Sequence, residues 1–159
     1  MPIATLYIAL LAASDCTSLT PEAIANRIDE HGARSVVSEI WKSEAEWACI
    51  LSHISSGQSN WLDLSVALRP GTDAAAGLSL RFAVSRAIPN NPGGVLKLTL
   101  SGPFSVADVC TSPFIEPDPG IAEDFEKSAI EALKTVTDTE LSQARDECLE
   151  KIKLPVKAA

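Results

Sequence analysis

Cys49 and His53 form the one thiol and imidazole pair in this chain whose spacing, four residues within a helical stretch, could set a nucleophile beside a base. Reactive thiols favour a helix N-terminus, where the dipole stabilises thiolate. Cys49 instead lies mid-helix between Ala48 and Ile50, so a buried or disulfide-bonded cysteine beside an ordinary surface histidine is expected. The four cysteines, Cys16, Cys49, Cys110 and Cys148, contain no C-x-x-C or other metal spacing, and an even count of this kind points to two structural disulfides made in an oxidising compartment. Of the three pairings, Cys16 with Cys49 and Cys110 with Cys148 is expected, because each closes a unit of neighbouring helices. Glu39, Glu44 and Glu46 resemble an acid pair only superficially: first-turn acids that favour the helix dipole and face water account for Glu44 and Glu46.

The phosphate-binding loop, the G-x-S-x-G elbow, H-E-x-x-H and the dinucleotide fingerprint are all absent. With two histidines and no paired ligand spacing, no metal, cofactor or catalytic residue is assigned, and a cysteine-dependent enzyme is the least favoured reading.

Thirteen basic residues against 21 acidic ones give a net charge of −8, and the basic residues are scattered rather than clustered. Such a chain is a poor partner for nucleic acid or an anionic membrane surface, and a better one for a basic protein. The charge is also what keeps a small domain soluble. At 159 residues one domain, spanning 1–159, is expected, long enough to bury a core without metals.

The run from Ile3 to Ala13 is almost wholly apolar, yet no Lys or Arg precedes it, as a secretory signal would require. Asp15 sits where lipoprotein processing before Cys16 needs a small residue, and the run is too short to span a bilayer. Ile3, Leu6, Tyr7, Leu10 and Ala13 therefore read as a packed first helix. An export signal is expected to have been removed ahead of this chain, with Met1 a non-native start.

Helix punctuation recurs from there on. Thr20-Pro21-Glu22 is a cap, a first-turn proline and an acid, and Gly32 closes that helix. Ser43 with Glu46 reads as a capping box for a helix ending near Gly57, Ser59 starts a helix stopped by Pro70-Gly71, and Thr72-Asp73 opens a long one to Ile88. Asn91-Pro92 begins a segment to about Leu100, kept helical although V-L-K-L-T-L alternates like a strand. A short helix containing Cys110 follows Ser105. Two long helices close the chain, Gly120–Val136 with a stripe of Ile121, Phe125, Ala129, Ala132 and Val136, and Thr139–Lys153 with Leu141, Ala144, Cys148 and Ile152. Ala75–Ile88, apolar nearly all round, is the expected central helix. The expectation is an all-α fold, a compact right-handed stack of about eight to ten short helices like the HEAT and armadillo class, although no repeat period is visible.

Trp41, Trp47 and Trp61 crowd into one third of the chain among Ile40, Ile50, Leu51, Ile54 and Leu62, which places them in the core. The loop Pro113–Gly120 differs from everything else. Three prolines stiffen it, and Phe114, Ile115, Glu116 and Asp118 make it amphipathic, so it loses little entropy on docking. Phe114 and Ile115 are expected to fold back onto the core, with Phe114 kept as a candidate contact residue, whereas Glu116 and Asp118 suit a binding role better. Gln58, in the Gly57–Asn60 turn, and Asn91 are further polar turn residues that could join the same site.

From Thr20 to Leu149 the chain resembles small exported bacterial helical proteins, through Trp47-Ala48-Cys49-Ile50-Leu51, Ser56-Gly57 with Trp61-Leu62, Pro70-Gly71-Thr72-Asp73, and Cys110 through Pro113–Pro117 to Cys148-Leu149. Its architecture is similar to that of periplasmic immunity proteins that neutralise type VI secretion peptidoglycan amidases. The resemblance implies a periplasmic inhibitor without chemistry of its own, which binds a basic secreted cell-wall hydrolase and blocks its active-site cleft. A periplasmic scaffold or ligand-binding module is the alternative. A homodimer is compatible with either.

Overall fold

The computed structural model describes Cys16 and residues 19–152. The apolar run Ile3–Ala13, read above as a first helix, and Lys153 lie outside the described residues. Within them the chain is all-helical, with no strand. The elements are α1 (Pro21–His31), α2 (Ala33–Trp41), α3 (Glu44–Ser55), α4 (Ser59–Leu68), a 3₁₀ turn (Arg69–Gly71), α5 (Ala74–Arg86), α6 (Pro92–Ser101), α7 (Val106–Val109), α8 (Ile121–Lys134), a second 3₁₀ turn (Thr139–Leu141) and α9 (Ser142–Lys151).

Most boundaries follow from side chains that satisfy the first free N–H groups. Thr20, Ser43, Asp73 and Asn91 each accept from the backbone N–H three residues on, and Ser105 forms a reciprocal capping box with Asp108. The expected box at Ser43 is only half made. Glu46 is drawn instead toward Arg27, whose guanidinium also reaches Glu39, so that one arginine on α1 links α2 and α3. Gln58 rather than Ser59 occupies the cap of α4, and Cys110 is the C-cap of α7 rather than a helical residue. Helix α2 has no sequence signature because Gly32 serves both as the C-cap of α1 and as the side-chain-free start of α2.

One core cluster runs from Ile24 to Ile152. Helices α1 to α4 pack on one another, α7 to α9 do likewise, and α5 and α6 join the two groups: α5 lies against α3 and α7, and α6 against α4, α8 and α9. Buried Leu80, Ala83, Val84, Ala87 and Ile88 confirm the central place expected of the 75–88 segment. The 95–100 segment is helical, with Val95, Leu96 and Leu98 turned inward. Nothing in this packing singles out a HEAT- or armadillo-like repeat.

The cysteines pair as expected, Cys16 with Cys49 and Cys110 with Cys148, at Cα separations of 5.7 and 5.1 Å. Both pairs fit an oxidising, extracytoplasmic setting. Among the described residues no helix is long and apolar enough to cross a membrane.

Two expectations about the core need correction. Trp47 and Trp61 are buried, but Trp41 is 42% exposed, because it lies in the last turn of α2 and packs edge-on against Trp47 instead of entering the core. Ile121 is 47% exposed at the entry to α8, so the α8 stripe starts one turn later.

Candidate functional site

The Pro113–Gly120 loop is built outward from α5. Ser85, fully buried, donates its hydroxyl to the Thr111 carbonyl at 2.8 Å, and the next residue, Arg86, donates from Nη2 to the Pro113 carbonyl at 2.6 Å. Three residues upstream of Pro113, Cys110 is bonded to Cys148 on α9. The loop's near end is therefore fastened to two helices within four residues.

Arg86 also stacks its guanidinium over Phe114 at 5.3 Å and Phe82 at 5.9 Å, within cation–π range. Burial draws its pKa below the ordinary arginine value, though not far enough to remove the charge. Phe114 meets Phe125 of α8 edge to face at 5.6 Å. Its aromatic surface is thus engaged within the protein, and Phe114 is the loop's foot rather than its contact face.

Ile115, expected to fold back in the same way, does the reverse. It is 71% exposed, and Glu116, Pro117, Asp118 and Pro119 beyond it are exposed as well. Glu116 turns the chain at φ 47°, the only non-glycine residue with positive φ among those described. At the far end the Ile121 N–H donates to the Asp118 carbonyl, and the Gly120 N–H donates to Glu123 Oε2 at 3.1 Å. The loop is tied at both ends and presents an exposed isoleucine followed by two exposed carboxylates. From residue 98 to 126 the chain carries no Lys or Arg, so no basic side chain from the loop's own neighbourhood in sequence offsets Glu116, Asp118 and the exposed Asp124.

The other two candidates lie at a second turn. Asn91 accepts from the Gly94 N–H through Oδ1 and donates through Nδ2 to the Gly57 carbonyl at 2.8 Å. Its amide thus clips the start of α6 to the turn before α4. Gly57, at φ 79°, must be glycine there, since a Cβ would press on Asn90 and Asn91 at 3.0–3.1 Å. The two polar turns therefore do lie together. Gln58 beside them is exposed and makes no cap hydrogen bond. The Asn91 N–H donates to the Ala87 carbonyl, so this turn and the proline loop are both tethered to the end of α5.

The Cys49 sulfur is committed to Cys16, which leaves no free thiol for His53 to activate. His53 is not the surface histidine expected. Its ring stacks on Trp61 at 4.4 Å and 7°, and its Nε2 is buried without a hydrogen-bond partner among the described residues. Among the described residues no group of His, Cys, Asp and Glu could hold a metal ion.

The sequence reading missed Arg86. Arg86 closes the mostly apolar run Phe82-Ala83-Val84-Ser85 with a charge, and that contrast was the available signal. No protein-family model matches this chain, and no curated protein or solved structure matches it either.

Proposed function

We propose that this chain is an exported protein-binding inhibitor, a periplasmic immunity protein that occludes a basic, secreted peptidoglycan amidase and performs no reaction itself. The observation that carries the reading is the Pro113–Gly120 loop, braced at both ends, with Ile115, Glu116 and Asp118 all exposed. Preorganisation lowers the entropy lost on docking, and a single-signed acidic rim speeds capture of a basic partner. The two disulfides support export, and the resemblance to immunity proteins supplies the choice of target.

The test uses the product of the neighbouring gene, which this reading expects to be a secreted hydrolase. The expected result is stoichiometric inhibition of peptidoglycan hydrolysis, with association slowed in the Glu116→Ala, Asp118→Ala double variant and less sensitive to salt than in wild type. An uninhibited hydrolase would exclude the inhibitor function. Inhibition that the double variant leaves unchanged in rate and salt dependence would move the binding face off this loop.

A further inference from the structure

A second recognition feature lies on the α2 side of the molecule. Arg34, Val37, Ser38 and Trp41 follow the i, i+3, i+4, i+7 spacing of one helical face, and across a cleft of about 290 Å³ they meet Asp73 and Ala76 at the start of α5. Gly71 closes the cleft at the level of Ala33, where the two backbones approach so closely that a Cβ on residue 71 would collide with the Ala33 carbonyl. Val37 and Ala76 are buried and form an apolar floor. Trp41 is held by its edge-on contact with Trp47 at 5.5 Å, and Trp47 is in turn fixed by its indole N–H, which donates to Ser79 Oγ at 3.1 Å.

The charges on the two walls are opposite, and they do not pair. The Arg34 guanidinium makes no ion pair or hydrogen bond among the described residues. Asp73 spends Oδ1 on the Ala76 N–H at 2.9 Å, and Oδ2 has no partner among them. A purely anionic ligand would meet Asp73, and a purely cationic one would meet Arg34. A neutral apolar ligand would desolvate both charges and repay neither. A ligand carrying both charges close together, with an apolar substituent, satisfies every wall.

We propose that this cleft binds a free zwitterionic α-amino acid with an apolar side chain, its carboxylate on Arg34, its ammonium on Asp73 and its side chain against Trp41. The guanidinium fork matches a carboxylate in the bidentate manner. The volume is at the small end for ligand pockets, which suits one amino acid and not a large cofactor. Both charged groups are solvent-exposed, so binding is weak, with Kd about 0.1–10 mM. The site is independent of the inhibitor function proposed above.

The test is a heteronuclear NMR titration of the full chain with leucine, following the Trp41 indole N–H and the Ala76 amide. Saturable shifts at both are expected. N-acetyl-leucinamide, which carries neither charge, should bind about tenfold more weakly, and Arg34→Gln and Asp73→Asn should each weaken leucine binding about two- to fivefold. Asparagine caps a helix as well as aspartate does, so Asp73→Asn removes the charge while α5 keeps its cap. Equal binding of the neutral amide would reduce the site to an apolar slot and overturn the proposal. So would the absence of shifts up to about 50 mM leucine, a concentration well above the expected Kd, or wild-type affinity in both variants.

Discussion

The proline loop and the Trp41 cleft present charge in opposite ways. In the loop the exposed charges at Glu116 and Asp118 share one sign, the residues from Ile115 to Pro119 are all exposed, and stiffness comes from prolines and from Arg86 behind them. In the cleft Arg34 and Asp73 oppose each other, the surface is concave, and stiffness comes from two helices and a close backbone contact. A single-signed projection acts at a distance and rewards an extended, oppositely charged partner. A mixed-sign cleft cancels its own long-range field and selects by local geometry. The loop therefore suits a protein, and the cleft a small molecule.

The strongest way to separate the two regions is to remove the Cys110–Cys148 bond, which lies at the loop's near end. Replacing both cysteines by serine opens a closure of 38 residues and should cost about 3–4 kcal/mol in a urea titration. Leucine binding at the Trp41 cleft should survive in whatever fraction stays folded. If cleft and loop are lost together well below the unfolding midpoint, they are one cooperative unit rather than two.

Within the loop, adjacent residues should behave oppositely. Phe114→Ala removes the contacts with Phe125 and Arg86 and should cost about 2 kcal/mol of stability, less than a fully buried phenylalanine would. Ile115→Ala should change stability by no more than about 0.5 kcal/mol while weakening capture of the partner. Equal stability losses at the two positions would mean that Ile115 packs inward in solution.

Arg86→Met keeps the aliphatic stem but deletes the hydrogen bond to the Pro113 carbonyl and the stacking charge, a loss of about 1–2 kcal/mol. Hydrogen exchange should then rise at Ile115 and Glu116 and stay unchanged at Trp41. Unaltered exchange in the loop would show that the prolines alone stiffen it.

The smallest effect concerns Asp108, which joins α7 to α5 behind the loop. Burial pushes its carboxyl up, but hydrogen bonds from the Ser105 backbone and hydroxyl, with the bond and charge of Arg81, more than reverse this and leave it below the ordinary carboxylate value. A depressed folded pKa adds stability that is present above the unfolded value, near 3.9, and is lost as pH falls through the folded one. Urea midpoints between about pH 2 and 5 should therefore fall less steeply in Asp108→Asn than in wild type. Parallel slopes would remove this carboxylate from the acid response.

The helical class, the caps at Thr20, Ser43, Asp73, Asn91 and Ser105, the inward stripe of α9 and the cysteine pairing could all be read along the chain, because each depends on residues three or four apart or on a bond between neighbouring units. The same reading could not distinguish Phe114 from Ile115, since both are large, apolar and next to proline. Only the placement of Phe125 and Arg86 turns one inward and leaves the other outside. Nor could it place Trp41 at the surface, pair Asn91 with Gly57, or set Arg34 across from Asp73, because these residue types, 34 and 39 residues apart in the two pairs, carry no pairing signal of the kind an even set of cysteines does, and their meeting depends on how the helices pack. Local rules act through short-range sterics and backbone hydrogen bonds, which a window of sequence contains. The loop's brace and the cleft's two walls come from helices that meet only when the core closes.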